Sequence, residues 1–244
     1  MTSKKEKYIK ALKSERNLAA FILNESNFPG PELNIELAYA ISEVADEKIV
    51  LALLKFEEVI APSDDPNEFL CFCGVLALGK QIINGKEIYF DCLRKFASDP
   101  RWLIRDAVVK ALRQIGQNNM TYLLEKTSSW ADGNLYERCA LLDAICDPSL
   151  FVDTFSFASA LTTIYKISVS LSAVEHPANE MFLALRRTLS LCWSELLIVY
   201  PGARESFEKL TNIDNEDIRW IISENLKNKN LIDFNPTWAA GLSH

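Results

Sequence analysis

The amino-acid sequence predicts an all-α fold, an α/α superhelix of stacked helix pairs forming one domain over residues 1–244. Three observations predict it. Apolar side chains recur at three and four residues rather than at two, the period of a helix and not of a strand. The eight Gly and nine Pro are sparse for 244 residues and sit at junctions between apolar stretches. Punctuation by Pro29-Gly30-Pro31, Asp65-Pro66, Asp99-Pro100, Asp147-Pro148, His176-Pro177 and Asp214 recurs at about thirty to fifty residues, the length of one helix pair. Each Asp before Pro reads as a helix start, with the carboxylate accepting orphan amides and the proline standing where an N–H is not needed.

The elements follow in order. The basic stretch MTSKKEKYIKALKSER lacks the apolar core and cleavage site of a signal peptide, so it reads as an amphipathic first helix over 4–13 of a cytoplasmic protein. Helices over 15–25 and 33–44 flank Pro29-Gly30-Pro31, and one over 47–60 precedes Asp65-Pro66. In the helix over 67–83, Phe69-Leu70-Cys71-Phe72-Cys73-Gly74-Val75 and Ala77 mix large and small side chains, and the small ones let a neighbouring helix approach closely. Helices over 87–97, 101–116, 119–128, 134–146 and 149–172 follow. The helix over 179–199 is the most apolar, but Arg186, Arg187 and Glu195 interrupt it, and charges at membrane depth are costly; it reads as a buried helix that does not span a membrane. Helices over 203–211 and 216–227 complete the array.

Two segments carry the sharpest pattern. On a helix, DPRWLIRDAVVKALRQIG (99–116) places Ile104, Val108, Ala111, Leu112 and Ile115 on one face and Trp102, Asp106, Val109 and Arg113 on the other. Trp102 and Asp106 are four apart and touch on the helix surface. DNEDIRWIISENLKNKNL (214–231) repeats the scheme, with Ile218, Ile221, Ile222 and Leu226 on the core side and Glu216, Trp220 and Lys227 opposite. Asn225 falls on the core side and must find hydrogen-bond partners there. Two roles are open to the tryptophans: packing against an adjacent helix or loop, or lining a binding surface. Glu195 lies within the apolar run, and a buried carboxylate has to be paired or protonated, so an Arg partner is expected.

Charge and cysteine content narrow the function classes. The net charge is −7, and the first twenty residues hold six Lys/Arg against two Glu, leaving 20 basic against 31 acidic side chains in the remainder. Duplex binding is driven by basic groups displacing counterions, so an acidic body disfavours nucleic acid. The cysteines Cys71, Cys73, Cys92, Cys139, Cys146 and Cys192 show no CxxC pairing and have only His176 and His244 for company. They read as reduced, mostly buried thiols, with no metal site and no Cys/His nucleophile pair. No phosphate loop or Ser/His/Asp constellation is present, and no cofactor is implied.

The 99–116 segment resembles a HEAT repeat. Together with ESNFPGPELNIELA (25–38), EFLCFCGVLALG (68–79), LSLCWSE (189–195) and NEDIRWIISENLKNKNL (215–231), it resembles an uncharacterised bacterial HEAT-repeat family. That resemblance implies a solenoid whose second helices line a concave groove, with Arg105 and Arg219 pairing to the capping aspartates, Asp99 and Asp214, of a neighbouring repeat. A more distant similarity is to the HEAT-like alkylpurine DNA glycosylases, which set tryptophans and a carboxylate against DNA. In that alternative Asp106 stabilises the sugar cation and Trp102 contacts base or backbone. The leading expectation is a non-enzymatic scaffold that binds a protein or peptide through Trp102, Asp106, Arg113, Glu216, Trp220 and Lys227. A groove-facing strip of Arg101, Arg105, Arg113, Arg186 and Arg187 would instead favour nucleic acid.

Overall fold

The computed structural model describes residues 3–30, 32–151, 153–173 and 179–242; Pro31, His176-Pro177 and His244 lie outside them. Every regular element among the described residues is helical. Two compact units are present, 1–118 and 119–244.

The first unit holds α1 (Lys4–Leu12), α2 (Leu18–Glu25), α3 (Ile35–Val44), α4 (Glu47–Leu53), α5 (Glu68–Ile83), α6 (Tyr89–Ala97) and α7 (Trp102–Asn118). Its centre is α5, which is apolar on all sides and buried along nearly its whole length, as a helix enclosed by neighbours must be. Helices α3, α4, α6 and α7 all pack against α5, the last most extensively. The small residues permit this crowding. A Cβ on Gly79 would lie 2.9 Å from the Ala111 carbonyl oxygen of α7, and one on Gly74 would lie 3.0 Å from Leu53 Cβ of α4. The basic first helix is docked: Lys5 reaches Glu43 of α3, Tyr8 donates to Glu25, and Asn34 donates to Tyr8.

The second unit holds α8 (Met120–Lys126), α9 (Leu135–Ile145), α10 (Thr154–Ser170), α11 (Glu180–Val199), α12 (Arg204–Leu210), α13 (Glu216–Asn225), α14 (Lys229–Phe234) and α15 (Pro236–Leu242). Here α11 is central, flanked by α9 and α13, while α10 contacts α8 and α12. Paired contacts fix the directions. Met181, Thr188 and Cys192 of α11 meet Cys139, Asp143 and Cys146 in ascending order, so α9 and α11 run parallel. Arg186 meeting Asp217 and Ser194 meeting Asn225 make α11 and α13 parallel as well.

Several boundaries differ from the sequence reading, each for a local reason. Helix α4 stops at Leu53, and residues 54–67 form successive turns because the Phe56 and Ala61 carbonyls bind a side chain instead of continuing a ladder. The long helix expected from 149 begins at Thr154, where the Asp153 carboxylate caps it by accepting the Ser156 N–H. Asp-Pro pairs open turns more than helices: Asp65 accepts the Asn67 N–H, Asp99 the Arg101 N–H and Asp147 the Ser149 N–H. Most side-chain caps are asparagines, including Asn17, Asn34, Asn119, Asn134, Asn179, Asn215 and Asn228. Asn228 and Pro236 start α14 and α15, two short helices the sequence reading left out.

The reading of six reduced thiols is corrected at two positions. Cys146 caps the end of α9 and Cys192 lies mid-α11, and the parallel packing of those helices brings their Cα atoms to 5.2 Å, where the sulfurs form a disulfide. Cys71, Cys73 and Cys139 are buried thiols outside that disulfide, and Cys92 is half-buried.

Candidate functional site

Helix α7 presents the divided faces its periodicity predicts. Ile104, Val108, Ala111, Leu112 and Ile115 are all buried, while Arg113 is exposed and Trp102 stays 60% exposed. Asp106 is not a free carboxylate: Lys110, one turn on, donates to it at 3.0 Å. Because α5 is slim at Gly79, α3 and α7 approach across it, and Gln114 reaches Ser42 at 3.5 Å. Tyr39 of α3 thereby enters the field of the α7 face. Burial first, then the charges of Asp106 and Glu36, hold its phenol above its usual pKa, with Arg113 opposing. The result is a seam of Tyr39, Asp106, Lys110 and Arg113, with the Trp102 ring exposed on the same side of α7. Sequence reasoning missed two members: Lys110, which its spacing of four from Asp106 could have shown, and Tyr39, which only the α3–α7 approach makes one.

Next to this face lies a buried charged cluster. Arg101 is 1% exposed and binds Asp99 through two parallel bonds, Nε to Oδ1 at 2.9 Å and Nη2 to Oδ2 at 2.8 Å. Its Nη1 donates to the carbonyls of Phe56 at 3.0 Å and Ala61 at 2.8 Å. Glu68, also buried, accepts the Asp64 N–H through Oε2, while its Oε1 has no hydrogen-bond partner among the described residues. Burial raises the Glu68 pKa above the usual carboxylate value; Asp64 and Asp99 add to that, and the Asp64 N–H and the Arg101 charge oppose it. A carboxyl with a folded pKa above its unfolded one stabilises the fold fully below the unfolded value and loses that contribution as pH rises through the folded value. Glu68→Gln is therefore expected to raise the melting temperature relative to wild type at neutral pH, with the gap closing as pH falls below the ordinary carboxylate range. A gap independent of pH in thermal melts would contradict the assignment.

The second unit treats its stripe differently. Trp220 is half-buried beneath the Arg186 guanidinium, 4.2 Å from the ring centroid, and the same Arg186 pairs with Asp217 at 2.5 Å. Trp220 thus packs against Arg186 of the neighbouring helix α11. Glu216 and Lys227 are exposed, and Lys227 pairs with Glu224 at 2.6 Å. Together with Arg219, Ile222 and Leu226, Lys227 lines an open cavity of about 390 Å³.

Asn225 finds its partners on α11 and on its own helix: Oδ1 accepts from the Ser194 N–H at 2.8 Å and hydroxyl at 2.7 Å, and Nδ2 donates to the Leu189 carbonyl of α11 and the Ile221 carbonyl of α13. Glu195 is corrected, since it faces solvent; the apolar faces of α11 turn inward through Cys192, Trp193, Leu196 and Leu197. The pairing expected of Arg219 is corrected too, while among the bonds of Arg105 are two to backbone. Arg105 donates to the carbonyls of Asp99 and Pro100, both at 2.7 Å, while the Asp99 carboxylate binds Arg101. Arg219 pairs with Asp214 of its own segment at the surface, not with a neighbouring repeat.

No helix among the described residues is long and apolar enough to cross a membrane. Among them no group of three or more His, Cys, Asp or Glu is placed to hold a metal ion. Compared with protein-family models, curated proteins and solved structures, the chain has no match.

Proposed function

We propose that this chain is a non-enzymatic, HEAT-like helical-repeat scaffold that binds a protein or peptide through the outer face of α7. The observation that carries this reading is the 60% exposure of Trp102, a large ring held on a rigid helix beside acidic and basic side chains. Tryptophan and arginine are the residue types that anchor protein interfaces, and a helix surface holds them at low entropic cost. The parallel runs α9, α11 and α13, separated in sequence by α10 and α12, support a repeat architecture.

The nucleic-acid alternative loses most of its candidate cations. Arg101 is buried, Arg105 donates to two backbone carbonyls, and Arg186 is stacked on Trp220 and paired with Asp217. Asp106, the carboxylate that a glycosylase would need free, is bonded to Lys110.

Two measurements test the proposal. Labelled duplex DNA, intact or carrying an alkylated base, is expected to show no anisotropy change with the protein at low salt. Cross-linking to cell proteins is expected to yield adducts that Trp102→Ala reduces at least about tenfold, the loss typical of a central aromatic anchor. The same variant should melt with the wild type, because the ring is largely in solvent. Salt-sensitive binding that prefers damaged DNA, with base release abolished by Asp106→Asn, would replace the scaffold reading with the glycosylase one.

A further inference from the structure

The turn at residues 56–61 combines two features that are seldom found together. Its tip is apolar and in water, with Val59 97% and Ile60 61% exposed. Its base is locked. The buried Arg101 donates to the carbonyls of Phe56 and Ala61, the residues on either side of the tip. Within the turn, the Glu57 carbonyl accepts both the Ile60 and Ala61 N–H groups at 2.9 Å, and the Ala61 side chain is fully buried. A loop that only connected α4 to α5 would need neither a buried guanidinium at its base nor two branched apolar side chains at its tip.

Exposed single apolar residues are ordinary, but a preorganised pair has a different energetic standing. Its water is already poorly accommodated, and little conformational freedom is left to lose on contact. The rim determines what contacts it. Glu57 and Glu58 precede the tip and Asp64 and Asp65 follow it within the 54–67 turns, the first three exposed and Asp65 half-buried, against Lys55 in the same turns and Lys95 reaching Glu57 at 3.7 Å. An apolar tip inside an acidic rim is complementary to a segment with an apolar face flanked by cations.

We propose that the 56–61 turn is a docking surface for a basic amphipathic helix of a partner protein, with Val59 and Ile60 entering its apolar face and Glu58 and Asp64 meeting its lysines or arginines. This surface does not depend on the α7 face assigned above. The two are separable because Val59 and Ile60 belong to neither α3 nor α7.

The test uses the full chain and a fluorescein-labelled Leu/Lys amphipathic peptide of about five helical turns, with a Leu/Glu peptide of the same apolar face as its counterpart. Anisotropy is expected to show saturable binding of the Leu/Lys peptide below about 100 μM. Val59→Ser/Ile60→Ser, which leaves every charge in place, is expected to weaken it at least about tenfold without moving the melting temperature. Glu58→Gln/Asp64→Asn should weaken it less and reduce its salt dependence. Three outcomes overturn the proposal: equal binding of the Leu/Glu peptide, binding unchanged by Val59→Ser/Ile60→Ser, or a wild-type dimer in sedimentation that this double variant dissolves, which would make a second copy the occupant. Trp102→Ala should leave the peptide affinity unchanged, so failure of the α7 reading and of this one are told apart.

Discussion

Arg101→Ala is expected to lower the unfolding free energy by about 3–5 kcal/mol, the cost of leaving a buried charge without its partner. The substitution strands the Asp99 carboxylate, which is itself nearly inaccessible, and removes the donor shared by the Phe56 and Ala61 carbonyls. Arg101→Lys should recover little, because an ammonium cannot reproduce the two parallel bonds to Asp99 while also reaching both carbonyls. Asp99→Asn/Arg101→Met should be less destabilising than Arg101→Ala alone, since it removes both charges together. Arg105→Ala serves as the comparison. It gives up at least two carbonyl contacts, but on a half-buried side chain whose loss strands no buried charge, so a smaller loss of about 2 kcal/mol is expected. Urea midpoints of these variants decide the matter, and equal losses at 101 and 105 would show that burial does not distinguish the two arginines.

That contrast also marks where the sequence stops being informative. Arg101 and Arg105 stand one turn apart in the same motif; the helical period sets Arg105 at the flank of the core stripe and Arg101 within it, a place that an arginine's charge argues against. Which of them is buried depends on the 54–67 turns folding back over α7, a contact between segments about forty residues apart. The core stripes were legible because they follow from a local period: Ile104, Val108 and Ile115, and likewise Ile218 and Ile221, are buried as the spacing requires. So was the need of Asn225 for partners, since an amide on a core face leaves no other choice. Glu195 shows the opposite limit. Its neighbours made it look buried, but α11 has one open side, and Leu191 one turn earlier shares that exposure. The α7 side of the candidate site was legible for the same local reason, whereas Tyr39 was not, because the approach of α3 to α7 depends on how thin α5 is at Gly79.

The largest effect expected in the second unit is that of reducing the bond between Cys146 and Cys192. The two positions are 46 residues apart, and closing a loop of that length restricts the unfolded chain by about 4 kcal/mol in the chain-entropy account. A reductant is therefore expected to lower the urea midpoint of the wild type markedly, and Cys146→Ser/Cys192→Ser should start from that lower midpoint and not respond. Three of the other thiols do not confuse the measurement. Burial pushes Cys71 up to about 11 and Cys73 well above its usual value, and Cys92 is raised as well, so little thiolate is present at neutral pH to attack a disulfide. Cys71, Cys73 and Cys92 therefore do not begin the exchange, which falls to the added reductant; of the two bonded residues Cys146 is half-buried and Cys192 enclosed. The α9–α11 contact does not vanish with the bond, because Thr188 still donates to Asp143 one turn away. The reduced protein should accordingly stay folded in the absence of urea. A wild type whose midpoint ignores the reductant would mean that the two sulfurs are not joined.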